Sequence, residues 1–142
     1  MGFQRRTILA AVDGSPSSYR AGALAVHMAR VESASLIGVF VHAPSTLLVG
    51  TVPGADVAAY KANADLADEL RTLASVRAQF TDVRVQFMER RGDPCTEILS
   101  VAAQQAADLI VVGASASPLH RVAGSLAARL IRNGRWPVTV VP

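Results

Sequence analysis

Two stretches of the chain carry residue types that can do chemistry. Asp13-Gly14-Ser15 follows an apolar run from Thr7 to Val12, and Val111 to Ser125 reads VVGASASPLHRVAGS. In the first, a carboxylate at the end of a strand is placed to meet a ribose hydroxyl or a hydrated cation. The same three residues suit an Asx-type turn, in which the carboxylate only closes the backbone. In the second, Gly113 lets the chain turn sharply and approach a ligand closely. Gly124-Ser125 then opens a helix, whose unpaired amides and positive dipole end make an anion site that needs no catalytic side chain. The Ser125 hydroxyl either donates to a phosphate oxygen or caps the helix by accepting from its backbone.

Other chemistries are excluded by what is missing. No lysine follows Gly124, so the stretch is not a Walker loop, and no G-x-G-x-x-G follows the first strand. His27, His42 and His120 stand at no metal-ligand spacing, and no G-x-S-x-G elbow is present. His120 and Arg121 fall inside the loop of interest, where they either touch a phosphate or face solvent. The lone Cys95 excludes an internal disulfide and fits a reducing compartment. Behind Asp93-Pro94 it is either a thiolate favoured by a helix dipole or a small buried side chain. No constellation reads as catalytic, and no residue set reads as a metal site of its own.

These residues need elements to position them. The sequence predicts a buried strand over Thr7–Val12, then a helix capped by Ser15 with Pro16 at its first position and Leu24, Met28 and Val31 on one face. SLIGVFVHAP is a second strand, and STLLVGTVPG is a punctuated loop. A long helix runs from Ala55 to about Phe80 with Leu66, Leu70, Leu73 and Val76 together. VRVQFME alternates as an edge strand does, and Asp93-Pro94 starts a third helix. DLIVVG reads as a strand buried on both faces, GSLAARLIRN as a short helix, and WPVTVVP as a final strand. Five alternations of strand and helix predict an α/β fold, with a parallel sheet between two helical layers and right-handed crossovers.

Composition sets the frame around them. A chain of 142 residues fits one domain over 1–142. No apolar stretch approaches the ~20 residues of a membrane span. The first apolar run ends at Asp13, too early for a signal peptide, so the cytoplasm is the expected compartment. Net charge is +3, with Lys61 the only lysine, and no acidic residue follows Asp108 while Arg121, Arg129, Arg132 and Arg135 do. The carboxyl-terminal quarter is therefore expected to carry positive potential. With aromatics at 5% and arginines scattered, the sequence argues against a nucleic-acid partner.

Taken in order, ILAAVDGS, the GDP that opens the third helix, DLIVVG followed by GS, and the terminal PVTVVP resemble the universal stress protein family along essentially the whole chain. The resemblance implies a Rossmann-like, three-layer open sheet of the adenine nucleotide alpha hydrolase-like type, with five parallel strands in the order 3-2-1-4-5. It also implies a homodimer joined through the last strand, Pro137 to Pro142. Nucleotide-binding members resemble G-x-x-G, nine residues, then G-[ST]. Here Gly113 stands first, Ala116 replaces the second glycine, and seven residues precede Gly124-Ser125. By the same resemblance Asp13 faces the ribose and metal region, with Ala11 and Val12 before it at the pocket wall. The Val41 backbone meets adenine, and Val112 and Gly113 lie beside the α-phosphate. The helix-start amides of Ser125, Leu126 and Ala127 remain for the phosphates. The function implied is regulatory binding of ATP or another adenine nucleotide, with Mg²⁺ and without turnover. The alternative is a dimeric, nucleotide-independent interaction module with a protein partner.

Overall fold

The computed structural model describes residues 4–42, 54–114 and 126–142. Ala116, His120, Arg121, Gly124 and Ser125 fall outside the described residues, as does most of the STLLVGTVPG loop. The elements are β1 (Thr7–Ala11), α1 (Pro16–Glu32), β2 (Ser35–His42), α2 (Ala55–Phe80), β3 (Arg84–Arg91), α3 (Pro94–Gln104), β4 (Leu109–Gly113), α4 (Leu126–Asn133) and β5 (Val138–Val141).

The five strands pair in parallel in the order β3-β2-β1-β4-β5, as the resemblance implied. Successive side chains of a strand point to opposite faces, and β1 distributes its residues accordingly. Leu9 and Ala11 join Ile98 and Val101 of α3 and Leu130 of α4 on one face. Ile8 and Ala10 join Ala21, Ala25 and Ala29 of α1 on the other. Phe40 of β2 packs on Ala67 and Leu70 of α2, on the α1 side of the sheet. The chain moves from β1 outward to β3 and then returns to β4 on the far side of β1. This leaves a crevice where the strand order reverses, beyond the carboxyl ends of β1 and β4.

Two helix faces differ from the sequence reading. α1 buries the Leu24, Met28 and Val31 face only in part: Met28 packs at the margin of the core, Val31 is exposed, and the sheet side is Ser17, Ser18, Ala21, Ala25 and Ala29. A face of small side chains lets the helix axis lie close over β1 and β4. In α2, Ala67 and Leu70 are buried, whereas Leu73 and Val76 are exposed. This helix has 26 residues and the strand under it has 8, so at about 1.5 Å and 3.3 Å per residue it is longer than the strand it covers, and its buried contacts fall on its middle turns. β3 is an edge strand, as its alternation predicted, and β4 is nearly fully buried.

The far ends of the strands are tied by polar contacts. Thr7 N donates to Asp108 Oδ2 at 2.8 Å and Trp136 Nε1 to the Ala107 carbonyl at 3.0 Å; at the opposite, carboxyl end of β5, Arg20 Nε donates to the Pro142 carbonyl at 2.7 Å.

Candidate functional site

At the reversal of strand order lies a cleft of about 590 Å³, lined from β1, β2 and β4 and from the helices that follow them. Ala11, Val12, Asp13, Val41, Val112, Gly113 and Leu126 all border it. Ala127 does not: its side chain is buried in the core against α3, so only its backbone belongs to the helix start.

The Asp13 turn is built by short-range bonds. Ser15 N donates to Asp13 Oδ1 at 2.9 Å, which is the Asx turn, and Ser15 Oγ caps α1 by accepting from Ser18 N at 3.2 Å. Asp13 N donates in turn to Ser18 Oγ at 3.2 Å. Gly14 has φ +80°, which favours glycine, and a Cβ there would stand 2.8 Å from Leu66 Cδ1 of α2, so that side chain would have to shift. The two readings of Asp13 therefore coexist. One carboxylate oxygen closes the turn, while Oδ2 has no hydrogen-bond partner among the described residues and stands exposed at the cleft.

Val41 presents backbone rather than side chain. Val12 N donates to the Val39 carbonyl at 2.9 Å, and the β1–β2 register ends at Ala11 against Val39. Alternate residues of a strand direct their N–H and C=O to the same edge, so Val41 aims both groups where β1 has already ended. The edge toward β3 is served by the neighbouring residue, whose carbonyl accepts from Gly92 N at 3.2 Å.

Gly113 has a reason that differs from the sequence reading. A Cβ on it would lie 2.6 Å from Ser17 Oγ, 2.7 Å from Ser17 C and 2.8 Å from Ser18 N. The close approach that demands glycine is to the first turn of α1, which β4 touches at the cleft floor.

The expected positive potential of the carboxyl-terminal quarter is reduced by pairing. Arg129 of α4 grips Asp93 with NH1–Oδ1 at 2.8 Å and NH2–Oδ2 at 2.9 Å, and the Arg135 guanidinium stacks 4.7 Å from the Trp136 ring centroid. Asp93 also caps α3, accepting from Thr96 N at 2.9 Å. The Arg129 fork, aided by Thr96, holds the Asp93 carboxyl well below the usual carboxylate range. A carboxylate whose folded-state pKa is depressed stabilises above its unfolded value and loses that contribution as pH falls below about 4. Since both partners are more than a third exposed, solvent screening limits the bridge. Asp93→Ala is expected to lower stability by about 1–2 kcal/mol near neutral pH, most of it the lost cap, and by less at pH 3. Urea unfolding at both pH values measures the difference.

Two other candidates resolve toward structure. Cys95 is buried in the first turn of α3, and burial pushes its thiol up, with the Arg129 charge opposing, so it is not a poised thiolate. His42 is nearly covered, 2.8 Å by Nε2 from Glu89 Oε2, and Glu89 is also held by Arg71. Burial, followed by the Arg91 charge, pushes His42 below the ordinary imidazole value, and its Nε2–H donates to the Glu89 carboxylate. Among the described residues no cluster of three or more potential metal ligands occurs, and no helix is long and apolar enough to cross a membrane.

Sequence reading missed three contributors. Ser17 and Ser18 are buried polar residues that pack and bond the floor of the Asp13 turn. Asn63 of α2 also borders the cleft. Its only sequence signal is a polar residue on the face that continues through Leu66, Ala67 and Leu70.

A model of the universal stress protein family matches residues 4–142. The fold is similar to that of a universal stress protein UspA from Lactobacillus plantarum, with 27% identity, 99% of this chain and 100% of that chain covered, and a TM-score of 0.76. A protein of the same family from Burkholderia pseudomallei is 26% identical over 100% of this chain and 99% of that one, at a TM-score of 0.71. A universal stress protein solved in complex with cAMP is 26% identical over 96% of this chain and 97% of that one, at a TM-score of 0.74. No curated protein matches this chain.

Proposed function

Since the chain belongs to the universal stress protein family, we propose that it binds an adenine nucleotide in the cleft beyond β1 and β4 and acts by regulated binding rather than by turnover. The observation that carries this reading is the pairing of two polar groups, without partners among the described residues, with an apolar slot at one opening. Asp13 Oδ2 and the edge-facing backbone of Val41 border a cleft whose walls include Ala11, Val12, Phe40 and Ile98. The slot accepts a flat base, the Val41 N–H and C=O can read its edge, and Asp13 accepts from ribose hydroxyls.

Phosphates leave the base toward α4, where the amides of Leu126 and Ala127 and the helix dipole favour negative charge. By the family resemblance Gly124 and Ser125 would complete that end, with Ala116 and the shortened loop limiting how much phosphate is wrapped. This favours a short phosphate tail, as in the relative solved with cAMP. Mg²⁺ fits the donor set: one carboxylate, from Asp13, combined with phosphate oxygens and water is its usual environment. When bound, the ion would neutralise phosphate charge beside Asp13.

Thermal unfolding tests the reading. AMP, cAMP, ADP or ATP at about 100 times its Kd is expected to add about 2.7 kcal/mol, a rise of several degrees at this chain length. No rise with any of the four at millimolar concentration leaves the nucleotide-independent interaction module as the function.

The assembly proposed is a cytoplasmic homodimer joined through Pro137 to Pro142. β5 pairs only with β4 among the described residues, and Val140 on β5 and Ile131 on α4 are exposed. An apolar strand with an open edge invites pairing with a second copy. Sedimentation at tens of micromolar is expected to show a dimer that Val140→Lys converts to monomer. Monomer alone for the unsubstituted chain contradicts the interface.

A further inference from the structure

Asn63 occupies a place where the amphipathic pattern of α2 calls for an apolar residue. Positions 63, 66, 67 and 70 share one helix face. Leu66 packs against this part of the core, and Ala67 and Leu70 are buried in it. Asn63 stands one turn before them, half-buried, and borders the cleft. Its carboxamide has no hydrogen-bond partner among the described residues. A polar side chain on an inward helix face, left unpaired beside a cleft, is a group positioned for a ligand.

The topology says which end of a ligand it meets. Phosphates belong to the β4 end of the cleft, where α4 begins. α2 packs over β2 and β3, on the opposite side of β1. Asn63 therefore stands at the base end, with Phe40 and Val41 of β2.

Its chemistry is selective there. A carboxamide offers one acceptor and one donor side by side. Adenine presents the complement, an N6 amino donor beside a ring-nitrogen acceptor, whereas guanine presents O6 and N7, both acceptors. We infer that Asn63 selects adenine over 6-oxopurines by pairing its carboxamide with the N6 amino group and N7 of the base. The inference rests on the nucleotide reading above and assigns the base discrimination to a residue of α2.

The test compares AMP with IMP, which differs at the 6-position by an oxo group, in calorimetric titrations of the unsubstituted chain and of Asn63→Leu. Leucine is close in size and continues the apolar face, so the variant is expected to fold with an unchanged or higher unfolding midpoint. The unsubstituted chain is expected to prefer AMP by about tenfold or more, and Asn63→Leu to lose at least about fivefold of that preference. Preference retained in Asn63→Leu overturns the inference while leaving nucleotide binding intact. Equal weakening of AMP and IMP overturns it too, because it places Asn63 at the ribose. Binding of neither nucleotide by the unsubstituted chain is the distinct failure of the underlying reading. Should Asn63→Leu not fold, Asn63→Ala gives the same decision, since it removes both the donor and the acceptor and is expected to lose the same discrimination.

Discussion

Gly113→Ala is expected to lower the unfolding free energy by about 2–3 kcal/mol and to weaken nucleotide binding at the same time. The added methyl carbon would stand 2.6–2.8 Å from three atoms of α1, and two of them, Ser17 C and Ser18 N, are backbone. No rotamer change relieves contact with backbone, so the first turn of α1 must move away from β4. That turn holds the cleft in shape, because Ser18 Oγ accepts from Asp13 N and Ser15 Oγ caps the helix. Ser17→Ala is therefore not expected to rescue the variant, since it removes only the third close atom. Urea unfolding measures the loss; a change under about 0.5 kcal/mol contradicts the packing argument.

Asp13→Ala is expected to act in the opposite proportion. The exposed Asx-turn bond is worth roughly 1 kcal/mol at most in stability. Nucleotide affinity is expected to fall by about tenfold or more, because the ribose and the metal lose the one carboxylate that borders the cleft among the described residues. Asp13→Asn separates the two roles. Its amide oxygen still accepts from Ser15 N, so stability is expected to stay within about 0.5 kcal/mol of the unsubstituted chain. Its neutral side chain is expected to remove the Mg²⁺-dependent part of binding. Direct titration with and without Mg²⁺ reads both effects, and equal affinities for all three chains remove Asp13 from the site.

What was legible in the sequence follows physical lines. The strands β2 and β4 were legible because buried parallel strands are continuous apolar runs, and the caps at Ser15 and Asp93 because cap chemistry is local. The Asp13 turn was legible for the same reason. The faces of α1 and α2 were misread where large residues were taken as the core side. Ala21, Ala25 and Ala29 instead let α1 approach the sheet, and α2 buries only the middle of its length. The Asp93–Arg129 pair joins residues 36 apart, a distance no local spacing reports. Gly113 was singled out, but its neighbour across the sheet, Ser17, became visible only once α1 lay over β4. Asn63 was hidden because a single polar residue on a long helix reads as solvated until the face beside it is known to be buried.

The most direct test of the central claim is calorimetric titration of the unsubstituted chain with AMP in the presence of Mg²⁺. One nucleotide per chain, bound at millimolar or tighter affinity and weakened at least tenfold by Asp13→Ala, is the result expected from a nucleotide cleft at the reversal of strand order. Absence of any binding by AMP, cAMP, ADP or ATP at millimolar concentration would contradict it.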